Sequence, residues 1–183
     1  MRRPAYLALI ALILASAALF IWKSPSRQPR APLTTPSPTP GQKKAATVTL
    51  FFANRAYVET GDESLPRLIP EPRVLQADET SLAEAAVRAL QTGPRSPKAA
   101  PVIRHDIHII GVRTARGIAE VNLARANLSG GSLEELLLIQ GVVRSLTGLP
   151  GIGAVRFLVD GQPTDTLMGH LSVNTPLTEK DLR

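Results

Sequence analysis

The stretch from Ser129 to His170, SGGSLEELLLIQGVVRSLTGLPGIGAVRFLVDGQPTDTLMGH, constrains the fold of this chain more than any other. It reads in one pass as a helix start, a periodic body, a stop and a following strand. Ser132 with Glu135 three residues on is the S-x-x-E capping-box pattern, in which hydroxyl and carboxylate each take an otherwise unpaired helix amide. Leu133, Leu136, Leu137, Ile139, Val143 and Leu146 recur at helical spacing and give a broad apolar face. Gly148 suits the left-handed position after a helix, and Pro150 cannot continue one. Ala154 to Val159 then has strand character and closes on Asp160-Gly161, a hairpin-turn dipeptide. One helix delivers the chain into a sheet.

Around this unit there is room for one main domain in 183 residues. Pro4 to Trp22 is a run of 19 residues without a charge. As a helix it spans roughly 27–29 Å, close to the hydrocarbon thickness of a bilayer. Arg2 and Arg3 precede it, and Trp22 and Lys23 sit where an interfacial anchor belongs. Residues 1–23 are therefore expected to be a cytoplasmic tail and single-pass transmembrane anchor, with the bulk of the protein outside the cytoplasm. The alternative is secretion after cleavage of a signal peptide at Ala15-Ser16-Ala17. Residues 24–45 alternate Pro with Ser, Thr and basic residues, a composition that buries no core and favours an extended linker. The domain is expected over residues 46–176, with 177–183 as a tail.

Net charge is +6 over the whole chain, which suggests nucleic acid or a membrane surface until it is divided. Seven of the 21 Lys and Arg precede position 45 and none of the 15 acids does, leaving 14 basic against 15 acidic residues beyond it. A basic domain surface for phosphate backbones is not supported. There is no cysteine, which excludes disulfides, thiolate metal sites, cysteine nucleophiles and a lipid-modified N-terminal cysteine.

Within the domain, Thr47 to Phe52 is a strand, and Asn54 to Leu65 a polar turn or loop around Gly61-Asp62. Arg67 to Gln76 is extended, and its Pro70 and Pro72 confine it to a sheet edge. Ser81 with Glu84 starts a second helix that stops at Gly93-Pro94. Ile107 to Val112 and Ile118 to Leu123 form a hairpin about Ala115-Arg116-Gly117, the second strand alternating Ala119, Val121 and Leu123 against Glu120 and Asn122. This order predicts an α+β domain: a small mixed, partly antiparallel sheet with two helices packed on one face.

No constellation carries chemistry. His105 and His108 are three apart at a strand start, on opposite faces, and no acid completes a site with His170. Glycine-rich nucleotide loops, nucleophile elbows and zinc-protease motifs are missing. Leu149-Pro150-Gly151-Ile152-Gly153 matches the turn of helix-hairpin-helix DNA-binding modules. A strand, not a second helix, follows it, so the default is a helix-to-strand corner. No catalytic, metal or cofactor site is expected, and no nucleic acid or small-molecule substrate.

The residues also resemble a family, the GerMN domain of sporulation and spore-germination proteins. The likeness runs from about Thr47 to Pro176 and is carried by Val48 to Phe52, Leu90 to Pro94, Gly117 to Leu123, Ser145 to Gly151, Val155 to Gly161, Gly169-His170 and Thr175-Pro176-Leu177. It implies a non-enzymatic extracytoplasmic module with a fold similar to ring-building domains of secretion machines. Family members are often lipoproteins or paired domains. Here the transmembrane helix replaces the lipid and the domain occurs once.

The leading expectation is a membrane-anchored binding or assembly module that meets envelope proteins or another copy of itself. Leu136, Leu137, Leu138 and Ile139 are four consecutive apolar residues, more than one sheet-facing stripe requires, so some of that surface is expected to face a partner. Ser132, Glu135, Leu138, Gly148, Pro150, Gly161, Gly169 and His170 are the residues expected to carry architecture or contact. The alternatives are a DNA-binding protein acting through the Leu149–Gly153 turn and a cell-wall hydrolase.

Overall fold

The computed structural model describes residues 44–78 and 81–182. The expected anchor and nearly all of the expected linker lie outside the described residues. No described helix is long and apolar enough to cross a membrane.

Among the described residues seven strands form two sheets. In the first, β1 (Lys44–Asn54) lies between β2 (Leu68–Ala77) and the two-residue β3 (Ala99–Ala100), all antiparallel. In the second the order is β4 (Ile109–Ala115), β5 (Ile118–Leu123), β6 (Ala154–Val159), β7 (Gln162–Pro163). Its β5 and β6 run parallel, and the long crossover between them carries α3 (Ser132–Thr147). The α+β class is as expected; a single sheet is not. After Phe51 the far edge of β1 is taken by β3, and at Phe51 by α3: the Phe51 amide donates to the Ser145 hydroxyl at 2.9 Å. A helix seated there separates β1 from the second sheet.

Close approach needs Gly141. A Cβ at that position would stand 2.8 Å from a Val102 methyl and 3.0 Å from the Phe51 carbonyl oxygen. Ten of the 16 residues of α3 are buried, among them Leu137, Leu138 and Ile139. The apolar surplus on this helix is thus covered by its own chain, with both β1 and β6 packed on it. Leu138 is fully buried, which corrects its expected place on a partner-facing surface.

Pro70 and Pro72 do lie on an edge strand, opposite Phe51 and Thr49. Asn54 to Leu65 is not all loop. Asn54 accepts from the Ala56 amide and caps a short helix, α1 (Arg55–Thr60), that ends on left-handed Gly61. The helix α2 (Leu82–Thr92) stops at Gly93-Pro94 as expected. Its start differs: the Ser81 side chain caps no helix amide, and Glu84 pairs with Arg88 instead. The first hairpin strand begins at Ile109, because Ile107 still donates to Arg104 in a turn. Residues 177–182 are docked, not a free tail. Leu177 bridges to Val155, the Gln140 side chain donates to the Leu182 carbonyl, and Thr178 and Asp181 form a capping box on a short 3-10 turn.

Candidate functional site

The N-terminal turn of α3 holds a buried carboxylate, Glu135, that accepts from four backbone amides. Glu135 shares a helix face with Leu138 and Val142, three and seven positions on, so its side chain points inward and is fully buried. One carboxylate oxygen accepts from the Leu167 and Met168 amides, each at 2.8 Å. The other accepts from His170 at 2.8 Å and Leu171 at 3.2 Å. Gly169 stands between the two pairs with φ +102°, a left-handed value that turns the loop so both pairs converge. The His170 ring nitrogen Nε2 lies 3.2 Å from the Gly130 carbonyl and closes the loop over the helix start.

This overturns the capping-box reading of Ser132 and Glu135. The helix is capped from Gly131, Ser132 is its exposed first residue, and no side chain bonds an end amide. Glu135 cannot reach back because its oxygens are already engaged by four amides of another segment. Among the described residues no ion pair includes it. Its compensation comes from amide dipoles and the positive end of the helix. Beside it, Arg104 gathers the neighbouring loops, donating to the Asn127 and Ser129 carbonyls at 2.7 and 2.9 Å and pairing with Asp106 and Glu134.

A second carboxylate does similar work at the other sheet. Glu71 projects inward from β2 and accepts from the Arg95 and Ser96 amides at 3.0 and 3.2 Å, holding the loop after α2. Arg73, two residues on and on the same strand face, pairs with Glu71, donates to the Gly93 carbonyl at 2.7 Å and lies 5.4 Å from the Phe52 ring centroid. Burial acts to raise the Glu71 carboxyl; the hydrogen bonds from Arg73, Ser96 and Arg95 outweigh it and hold it below its ordinary 4.5.

The corner after α3 is a backbone device. Gly148 is not left-handed (φ −76°), because the helix runs on and Leu149 still donates to Leu146. The reversal waits for Pro150-Gly151: Ile152 donates to the Leu149 carbonyl, and Gly151 takes φ +77°, the pattern of a type II turn with proline then glycine. Gly153 and Ala154 both donate to the Gly117 carbonyl at the first hairpin tip. With those amides engaged internally, the corner has none of them to offer a phosphate. At the next turn the Gly161 amide donates to the Asn122 side chain at 2.8 Å.

The two sheets differ on their outer faces. On the second, Glu120 lies between Arg113 and Arg156 and pairs with both. Beside them Ile110, Gly111, Val112 and Leu158 line a shallow hollow of about 340 Å³. On the first, the outward residues of β1 and β2 (Ala45, Thr47, Thr49, Pro70, Pro72, Val74 and Gln76) are exposed and carry no charge, with Val74 at 60%. His105 and His108 are exposed on the loop before β4 and His170 on the loop after β7, and among the described residues no group of three His, Asp or Glu side chains converges as for a metal.

Sequence pattern alone did not find the Glu71–Arg73 pair or the true partners of Glu135. The signals were present: opposite charges two apart on an extended segment share a face, and Glu135 falls on the apolar stripe of its helix.

Fold and site together define a small α+β module whose buried charges hold loops in place. The chain belongs to the Germane family, described as Sporulation and spore germination, whose model matches residues 49–165. No curated protein matches it. Among solved structures, it resembles the first GerMN domain of the sporulation protein GerM from Bacillus subtilis, with TM-score 0.61 and 19% identity over 74% of this chain and 99% of that one. Against the tandem GerMN domains of GerM the TM-score is 0.56 at 14% identity, over 77% of this chain and 49% of that one, so this chain spans about half of the tandem. A protein from Clostridium perfringens described as a lipoprotein gives TM-score 0.52 and 23% identity, over 75% of this chain and 89% of that one.

Proposed function

We propose that this chain is a membrane-anchored, extracytoplasmic module of the cell envelope that acts by protein–protein contact and not by catalysis. The observation that carries the reading is the outer face of the β1–β2 sheet. Thr47, Thr49, Pro70, Pro72 and Val74 are exposed there with no charged residue among them. Such a face loses little side-chain entropy and desolvates no charge on contact. Glu71 and Glu135, the carboxylates drawn furthest inward, are occupied by backbone amides, which supports a structural role for each.

Localisation rests on sequence and likeness. The uncharged run from Pro4 to Trp22 is long enough to span a bilayer. The similar protein from Clostridium perfringens is described as a lipoprotein, and this chain has no cysteine to carry a lipid. A transmembrane helix supplies the same tether.

The test is fractionation of cells making the full-length chain, followed by protease treatment from the outside and crosslinking in the intact envelope. The expected result is a membrane-bound chain whose domain is shaved from the outer side and which crosslinks to envelope protein or to itself. A chain found in the soluble cytoplasmic fraction, or one bound to membrane yet monomeric and uncrosslinked, overturns the reading.

A further inference from the structure

The two edges of the β1–β2 sheet are treated differently. Along β1 the backbone groups alternate between neighbours. Asn54 donates to Arg67 on the β2 side; Phe51 and Arg55 donate to Ser145 and Lys98 on the far side, where Ala53 also pairs with Ala100. By the same alternation the N–H and C=O groups of Ala45, Thr47 and Thr49 point to that far side. Among the described residues nothing accepts from those three amides. All three residues are exposed. A row of unmet donors and acceptors is a template for another strand.

The β2 edge is interrupted by two prolines. Pro70 and Pro72 stand opposite Phe51 and Thr49, at positions whose backbones face away from β1. Having no N–H, they remove two donors from that edge. Among the described residues nothing of the kind guards Ala45–Thr49.

Resting on the reading of this chain as an assembly module, we propose that Ala45–Thr49 pairs antiparallel with the same segment of a second copy, about a twofold axis at Thr47. In this register Thr47 meets Thr47, Ala45 meets Thr49 and Ala46 meets Val48, so no charges are apposed. The two Lys44 side chains fall at opposite ends, about 20 Å apart at the usual strand rise. Lys44 comes opposite Leu50, one position short of Phe51, where Ser145 already fills the edge. All three outward amides and carbonyls of each copy find partners. The joined sheet, β2-β1-β1-β2, then ends on two strands interrupted by Pro70 and Pro72, which disfavours growth beyond the dimer.

The chain has no cysteine, so single cysteines report cleanly in the full-length protein in membranes. Thr47→Cys puts two thiols on strands whose Cα atoms lie about 5.5 Å apart, within disulfide range, and is expected to give covalent dimer on mild oxidation. Thr49→Cys lies about 13 Å from its counterpart and is expected to stay monomeric, while a mixture of Ala45→Cys and Thr49→Cys chains crosslinks. Thr47→Pro deletes an amide that the β1–β2 ladder does not use, and is expected to weaken self-association at least tenfold by sedimentation with an unchanged unfolding midpoint. No covalent dimer from Thr47→Cys, or equal crosslinking at positions 47 and 49, overturns the proposal. So does a monomer whose Thr47 amide is protected from hydrogen exchange, since residues before Lys44 would then cover the edge. Failure at Thr47 with crosslinks to envelope protein retained sinks this edge alone. Loss of every contact sinks the assembly reading as well.

Discussion

Glu135 and Glu71 hold one loop each, and they are neutralised in different ways. Glu71 brings a cation from its own strand: Arg73, two residues on, shares its face and its burial. Glu135 has no such neighbour and relies on four amides from residues 167–171, more than thirty positions downstream. The first arrangement is local and keeps its charge pair wherever β2 forms. The second exists only when α3 and the C-terminal loop have both found their places. A buried carboxylate that depends wholly on distant amides is therefore a lock on the finished fold, and the Glu71 site a lock on one sheet.

Removing Glu135 gives the sharpest contrast. Glu135→Ala leaves four inward amides without an acceptor and is expected to cost about 3–5 kcal/mol, the range for breaking a buried charged site. The check is the urea midpoint at unchanged slope, with loss of exchange protection at the 167–171 amides. Glu135→Gln turns one oxygen into a donor facing donors and is expected to fall only slightly short of that loss.

Arg73→Met converts the Glu71 site into the other kind, a carboxylate held by amides alone. Two amides are fewer than four, and a loss of about 2–3 kcal/mol is expected, under the figure for a fully buried pair. A loss as small as a surface pair's, below about 1 kcal/mol, would show that Glu71 needs no cation and erase the distinction.

Acid unfolding separates the sites further. The Glu71 carboxyl sits below its ordinary 4.5 in the folded chain. Its contribution is thus fully present above that value and is lost as pH falls through the lower folded one. Glu71→Gln is expected to lower the melting temperature near neutrality and to flatten the acid limb of a plot of melting temperature against pH, the two chains converging at low pH where the carboxyl is protonated in both states. A parallel shift of the whole curve would remove Glu71 from that limb. The smallest effect belongs to His170→Ala, which frees only the Gly130 carbonyl and should cost about 1 kcal/mol or less, read by the same urea midpoint.

Much of the architecture was legible because it depends on neighbours in the chain. Pro70 and Pro72 marked an edge strand, Gly93-Pro94 ended a helix, and Arg116-Gly117 and Asp160-Gly161 made tight turns with positive φ at both positions. Such signals act over two to four residues, and no distant contact has to agree with them. The errors have one cause. Ser132–Glu135 and Ser81–Glu84 fit a capping box, yet neither caps, because Glu135 is engaged by the 167–171 amides and the Ser81 hydroxyl by the Asp78 backbone. Thr178 and Asp181, three apart in a stretch expected to be a tail, do form one. The same holds for Leu136–Ile139, where an apolar excess pointed to an outside partner and the partner proved to be the chain's other sheet.

By itself the sequence determined where the long strands and the two long helices lie, most of the turns between them, and that the folded part carries almost no net charge. Periodicity, turn chemistry and composition are local or additive properties, so they can be read without the fold. Only the tertiary structure decided that there are two sheets, that α3 enters the edge of β1 through Gly141 and Ser145, that Glu135 faces inward onto a distant loop, and that no other described residue pairs with the far edge of Ala45–Thr49. Each of these depends on which remote groups arrive to fill a buried hydrogen bond or an empty edge. A buried polar group must be paired, but the chain does not state with whom until it has packed.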